Sequence, residues 1–381
     1  PDEVLEREIM NHLFPDTTYG CESGGDPKNI PDLTYENFLN FHRTYYHPSN
    51  SYIYLYGNMD MEEKLAFLDE HYLSHFDYLD VDSVIQEQKA FGACQDVTLE
   101  YPVAENEGEE DNTYLSYNMV VGNAADSQMA MAFEVLDYAL LSAPGAPLKQ
   151  ALLDVKAGKD VYGSYDDGIL QPYFTVIAKG SNPDRKEEFV SVIRQVLGDI
   201  VKNGIDKKAV EAGINYFEFR YREADFSSYP KGLMYSLDIL GDWLYEQGNP
   251  FAQVQQLEVF EKLKAAVNEG YFEELIRKYL LENPHGCVLT LVPKKGLAAK
   301  REKELEEKLE AYRSSLSEQE LNAMVEKTKA LEAYQEAEED QEALECIPML
   351  KRSDIKKEAA KFVNEELSVD DSLFLYHDVC T

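Results

Sequence analysis

Basic side chains are scarce in this chain: 36 lysines and arginines stand against 72 aspartates and glutamates, leaving a net charge of −36. A surface of that sign repels phosphate, which argues against nucleic acid or anionic lipid as the main partner and leaves basic or neutral ones. The plainer consequence of the same excess is solubility. Cysteine is sparse too. The five present, Cys21, Cys94, Cys287, Cys346 and Cys380, are odd in number, far apart and form no C-x-x-C pair. Free thiols in a reducing compartment are therefore expected, rather than a disulfide framework or a zinc knuckle. No run approaches the roughly 20 apolar residues of a membrane helix, and the start has no signal-peptide pattern. The expectation is a soluble, cytoplasmic protein with no membrane and no nucleic-acid partner. An initiator methionine is missing as well, the chain opening at Pro1, as a piece of a longer polypeptide would.

The usual catalytic signatures are absent in the same way. The stretch YGCESGGDP, residues 19 to 27, has the first half of a phosphate-loop spacing in Gly20 and Gly25. Asp26 and Pro27 follow where Lys and Ser/Thr would be needed, and Glu22 adds a second repulsive charge. The nucleophile-elbow pattern G-x-S-x-G fails because Cys21 stands two residues before Ser23. A turn that redirects the chain is the expected role. Of the seven histidines, only His71 and His75 have the i, i+4 spacing that sets two imidazoles on one helix face. Glu70 precedes the first and Ser74 the second, so no carboxylate stands where a zinc-protease base would, and surface histidines at a helix end are expected. Asp166-Asp167-Gly168 reads as a turn. No catalytic or metal-binding residue is assigned, and substrate-binding residues stay unknown.

What is present is a succession of periodic segments, long enough at 381 residues for two or three domains. In residues 1–85, EVLEREIMNHLF has apolar residues at helical spacing, and Thr34 caps a helix through Tyr46 with Phe38, Phe41 and Tyr45 on one face. SYIYLYG alternates as a strand, and a further helix starts near Asp60. That αβα order predicts a sheet with helices packed on it. Residues 86–112 end in AENEGEEDN and read as an exposed acidic connection.

Residues 113–295 predict a second α/β domain. Strand TYLSYNMVV, helix SQMAMAFEVLDYALL, loop SAPGAP, a short helix from Leu148 to Val155 and strand PYFTVIAKG come first. Two long helices, about 184–203 and 207–224, follow with Gly204 between them. The close of this domain repeats the first unit. Gly248-Asn249-Pro250 matches Gly25-Asp26-Pro27, the helix with Phe272, Leu275, Ile276 and Tyr279 matches Phe38 to Tyr45, and Asn283-Pro284-His285 before CVLTLVP matches His47-Pro48 before SYIYLYG. A weak internal duplication accounts for this and makes residues 1–85 the rear half of a domain that is complete in the second unit. Residues 296–345 are dense in Glu, Lys, Ala and Leu, with a capping box at Ser317-x-x-Glu320, and predict an antiparallel helical hairpin. Residues 346–381, with strand SLFLYHDV, start a third domain.

Composition and spacing alone thus yield an acidic, multi-domain α/β protein without an active site. The run TYGCESGGDPKNIPDLTYENFLNFHRTYYHPSNSYIYLYGN, however, resembles the presequence-protease subfamily of the insulinase-like (pitrilysin-like) zinc metallopeptidases. The glycine turn, IPDLT, FH..YYHPSN and YLYGN occur in the family's order. LLSAPGAPLKQALLD is similar to the family's second-domain segment joining two helices, and the acidic hairpin resembles the linker between the halves of such enzymes. The resemblance implies an α+β fold of insulinase-type two-layer sheet-and-helix domains with a helical hairpin linker. It also implies zinc in the parent enzyme, unfolded peptides as substrate, and the N-terminal and C-terminal parts of the same enzyme as partners. The family's H-x-x-E-H motif occurs nowhere in the chain, so none of the zinc is expected to be bound by this segment. The expectation is an interior piece, inactive alone, that forms chamber wall and hinge of a metalloendopeptidase; the alternative is a non-catalytic peptide-binding or scaffold relative.

Overall fold

The computed structural model describes every residue except 225, 246–248, 356, 359–362, 370–371 and 379–381. Cys380 and the Gly248 of the repeat lie outside the described residues. In chain order the elements are α1 (Asp2–Leu13), α2 (Tyr35–Tyr45), α3 (Met61–His71), β1 (Gln95–Pro102), β2 (Thr113–Val120), α4 (Ser127–Asp137) and α5 (Pro147–Asp154). Next come β3 (Asp160–Asp166), β4 (Tyr173–Ser181), α6 (Lys186–Asn203), α7 (Lys207–Glu223), α8 (Lys231–Trp243), α9 (Leu257–Ala266), α10 (Tyr271–Leu275) and β5 (Gly286–Lys294). Then follow α11 (Leu297–Ser315), α12 (Glu318–Gln335), α13 (Gln341–Glu345), β6 (Val363–Val369) and β7 (Ser372–Asp378). The chain divides into two units, Pro1–Lys303 and Glu304–Thr381.

A five-stranded sheet in the order β1-β5-β2-β4-β3 organises the first unit, with β1 parallel to β5 and the other neighbours antiparallel. Because successive side chains of a strand alternate between faces, β2 serves two cores. On one face Leu115, Tyr117 and Met119 meet Phe133 and Leu136 of α4, Phe189 and Ile193 of α6, and Phe272 and Ile276 at the end of the domain. On the other, Tyr114 and Val120, with Leu289 and Leu291 of β5, meet Leu5, Ile9, Leu13 and Phe14. Each such side chain contributes about 1.5–3 kcal/mol on leaving water.

Three expectations need correcting. Leu5, Ile9 and Leu13 form one stripe of α1, and that stripe is buried on the sheet of the second predicted domain rather than within residues 1–85. Residues 86–112 are not all connection. Val97, Leu99 and Tyr101 alternate into the α1 side of the core, and β1 is laddered to β5 from Gln95↔Cys287 to Pro102↔Lys294. The acids that suggested a loop, from Glu105 to Asp111, come after the strand. Finally, no sheet forms in residues 1–85 among the described residues. SYIYLYG joins no ladder, because a strand needs a neighbour for its N–H and C=O groups and the described residues offer none; Ile53 and Tyr56 are 43% and 49% exposed. The helix beside it forms as expected, with Thr34 Oγ1 accepting from Asn37 N–H at 3.1 Å.

The second unit begins within α11. Ser317 and Glu320 make the anticipated capping box at the start of α12, each accepting from the other's backbone N–H. Tyr312, Leu316, Leu321 and Met324 line a cleft of about 430 Å³ at the joint of α11 and α12. β6 and β7 pair antiparallel from Val363↔Asp378 to Val369↔Ser372, the second being the expected SLFLYHD strand.

Candidate functional site

β3 ends the sheet. Its inner side is laddered to β4 from Asp160↔Lys179 to Asp166↔Tyr173, and no strand among the described residues pairs with its outer side. Free backbone donors and acceptors on such an edge are a template for an extended peptide. Alternation sends Val161 into the core beneath α4 and sets Tyr162, Ser164 and Asp166 on the face that carries α1. Between that face and α1 lies a groove of about 940 Å³.

The groove has a neutral floor and acidic walls. Ser164 and Thr175 share a hydroxyl–hydroxyl hydrogen bond of 3.1 Å, and the Tyr173 hydroxyl donates to Asp166 Oδ2 at 3.1 Å. Burial first, and then the Asp166 carboxylate, push the Tyr173 phenol well up; burial does the same to Tyr162. Both rings stay neutral. Asp2, Glu3, Glu6, Glu22 and Asp166 supply carboxylates, and Arg7 is the cation among the lining residues. The nearby cations are already engaged: Arg7 bonds Glu8 at 3.0 Å, and Lys179 bonds Asp2 at 2.8 Å, a bond that holds the Asp2 carboxyl low and the Lys179 ammonium high. The field in the groove is therefore negative, suited to a cationic side chain.

Two features behind the strand hold it in place. Gly163 comes so close to its neighbours that a Cβ there would sit 2.4 Å from Leu141 Cδ1 and 2.4 Å from the Thr175 carbonyl oxygen. Leu141 belongs to a π-helical turn, Tyr138–Ser142, that extends α4. On α4 itself Glu134 is pushed up to about 7, by burial first and then by Asp167 and Asp137, with Arg220 opposing.

Alternation in KDVYGSYDDG is interrupted by Gly163, so β3 was not legible as a strand, and α8 was missed as well. The residues singled out from sequence lie elsewhere. His71 ends α3 and His75 ends the short turn after it; both are exposed, and the His71 ring leans on Phe67 at 4.5 Å. No group of three or more His, Cys, Asp or Glu that could hold a metal ion exists among the described residues. The described residues thus do not fit a zinc centre. YGCESGGDP is a turn, with Gly25 at φ +84° and Gly20 so close to Phe14 that a Cβ would meet its carbonyl oxygen at 2.5 Å. Asp166-Asp167-Gly168 opens the β3–β4 connection, with Gly168 N–H donating to Asp166 Oδ1 at 3.0 Å. A more apolar cavity of about 860 Å³ is walled by Tyr54, Tyr56, Tyr235 and Trp243; its cation, Arg222, is bound to Glu218 at 2.6 Å.

The sequence model of the family described as "Peptidase M16 inactive domain" matches residues 32–217, and the model of the domain associated with subfamily C of the same peptidases matches residues 291–381. Among curated proteins, "Protein HypA" of Clostridium perfringens is 44% identical over all of this chain and 39% of its own length. "Presequence protease 1, chloroplastic/mitochondrial" of Arabidopsis thaliana is 33% identical over 100% of this chain and 36% of its own. The chain therefore spans under two fifths of the length of these relatives. Among solved structures, an M16-like peptidase from Alicyclobacillus acidocaldarius superposes with a TM-score of 0.58 at 18% identity, covering 77% of this chain and 66% of that one. A protease from Helicobacter pylori gives 0.59 at 14%, covering 77% and 67%. These likenesses establish the α+β fold of sheet-and-helix domains. Taken with the two sequence models and the presequence-protease relatives aligned from end to end, they place the chain in the M16 peptidase family.

Proposed function

We propose that this chain is part of a zinc-dependent metalloendopeptidase that degrades unfolded peptides inside a closed chamber, the segment supplying chamber wall and hinge and being inactive alone. The observation that supports this reading is the open edge of β3 beside an acid-walled groove: extended chain can add to the edge by backbone hydrogen bonds while its cationic side chains meet Glu3 and Glu6. The zinc ligands are proposed to lie in parts of the protein outside residues 1–381, since the residues described here do not fit a metal. The unpaired SYIYLYG segment and the exposed faces of α2 and α3 are consistent with a first domain completed by those parts. Cytoplasmic placement belongs to the same proposal, supported by the free thiols of Cys21, Cys94, Cys287 and Cys346.

The competing reading is a non-catalytic peptide-binding scaffold, favoured by the match to a domain type described as inactive. Cleavage of an unfolded peptide by the whole protein, with and without a zinc chelator, separates the two. Chelator-sensitive cleavage, with residues 1–381 alone inert, is the expected result. A whole protein that binds the peptide and never cuts it would establish the scaffold instead. The edge itself is tested by titrating residues 1–381 with an extended lysine-containing peptide and with the same peptide N-methylated at alternate amides. Equal affinities would rule out strand addition.

A further inference from the structure

The cap that ends α1 comes from the far end of the domain. His285 is 4% exposed, and its Nε2 lies 2.9 Å from the carbonyl oxygen of Leu13, one of the last carbonyls of α1 that have no partner within the helix. A carbonyl can only accept, so the ring proton is on Nε2 and Nδ1 carries the lone pair. Phe91 and Phe14 close the site edge-on, with ring centroids 4.7 and 6.1 Å from the imidazole. The backbone around the ring is tied into the sheet: His285 N–H donates to Asn283 Oδ1 at 2.9 Å, Asn283 Nδ2 donates to Val120 O at 2.6 Å, and Val120 N–H donates to His285 O at 3.0 Å.

We propose that His285 is an acid-sensitive latch that holds α1 on the sheet: the neutral ring caps Leu13, and a second proton on Nδ1 opens the contact. Two effects compete. The carboxyl end of a helix favours a cation, as does the bond to Leu13, but burial between two phenyl rings opposes it, and burial prevails, holding the imidazole below its ordinary value of 6.5. The ionisable groups on the elements packed against the ring are directed elsewhere. On α1, His12 bonds Glu8. Asp16, just beyond α1, is held by Gln88, and Glu87, on the segment that carries Phe91, accepts from Asn123. Lys89 stands on that segment too, and no charged side chain is a cause of the His285 shift. Since α1 is one wall of the groove beside β3, the latch also sets the width of that groove; this consequence, unlike the latch, rests on the peptide-binding reading.

The test is hydrogen exchange of the α1 amides in the whole 381-residue chain at pH 7.5 and 5.5, corrected for the intrinsic pH dependence of exchange. If the opened state frees an imidazole of ordinary pKa, opening rises by about tenfold between these pH values. His285→Gln, which can still donate to Leu13 and cannot titrate, should abolish that rise. A wild-type ratio near one, or the same tenfold rise in His285→Gln, would overturn the proposal; in the second case His12 becomes the responsible group. Should the variant not fold, the ring proton resonances of His285 in the native chain decide: titration near 6.5 with α1 still protected eliminates the latch, and absence of titration down to pH 5.5 supports it. None of these readouts depends on peptide binding or cleavage.

Discussion

Gly163 and Leu141 approach each other so closely that no side chain fits between them: a Cβ on the glycine would lie 2.4 Å from the leucine Cδ1. The contact seats the free edge strand β3 on the π-helical end of α4. Gly163→Ala should therefore cost about 1–3 kcal/mol through overpacking, read as a lower denaturant midpoint with an unchanged slope. Adding Leu141→Ala should recover only part of the loss, because the Thr175 carbonyl, also 2.4 Å away, is backbone and cannot be trimmed. Full recovery would mean that the strand itself is free to shift.

Glu134 predicts a pH dependence of definite sign. Its carboxyl is raised from 4.5 to about 7, chiefly by burial, so between those values the folded chain keeps a proton that the unfolded chain has lost. The stabilisation is complete below pH 4.5 and is lost as pH rises through about 7. Glu134→Gln, neutral at every pH, should raise Tm at pH 8 and change it little at pH 4.5. A shift of this size sets a ceiling of about 3 kcal/mol. An unchanged Tm at pH 8 would mean that Glu134 reaches water.

His285 has the opposite sign: its depressed imidazole contributes stability above pH 6.5 that is lost as pH falls toward its folded value. Between pH 5 and 7 the two groups oppose each other in the wild-type chain. A flat wild-type profile is thus expected to resolve into two slopes, with Glu134→Gln losing stability on acidification and His285→Gln gaining it. Parallel profiles for both variants would refute the assignment of either group.

Charge in the groove should show in the salt dependence of binding. Replacing Glu3 and Glu6 by Gln should weaken a lysine-rich peptide by about two- to tenfold at low salt, the range expected of exposed ion pairs. The difference should vanish near 1 M salt, where screening acts within about 3 Å. Acidic peptides should respond in the opposite direction. If basic and acidic peptides share one salt dependence, the acidic walls play no part in selection.

The face of α2 should behave differently in the chain and in the whole protein. Phe38 and Phe41 are 65% and 58% exposed, so converting both to Glu should move the stability of residues 1–381 by only about 0.5 kcal/mol while reducing self-association of the exposed apolar surface. In the whole protein, burial of the same rings against the remainder of a first domain would raise the cost to about 3 kcal/mol or more. Equal, small effects in both would leave the half-domain reading without support.

Much of the architecture was legible from local pattern. Thr34 and Ser317 announced the starts of α2 and α12, Gly204 separated α6 from α7 with φ +93°, and TYLSYNMVV and CVLTLVP were strands because their alternation and branching suit a pleated surface. The family, too, was carried by short ordered motifs. What sequence could not settle were questions of partnership. The stripe Leu5, Ile9 and Leu13 said that α1 buries one face and was silent on which sheet receives it, because helical periodicity encodes a face and not an address. SYIYLYG has the alternation of a strand and forms no ladder, since backbone pairing requires a neighbour from elsewhere in the fold. His285 and Leu13 stand 272 residues apart in the chain, and only the crossing of α1 over β2 and β5 brings ring and carbonyl together. The amino-acid order by itself determined the elements, the acidity and the family; the tertiary structure alone decided which edge stays open, which carboxyl is buried and which histidine caps the helix, because burial and hydrogen bonding depend on neighbours in space.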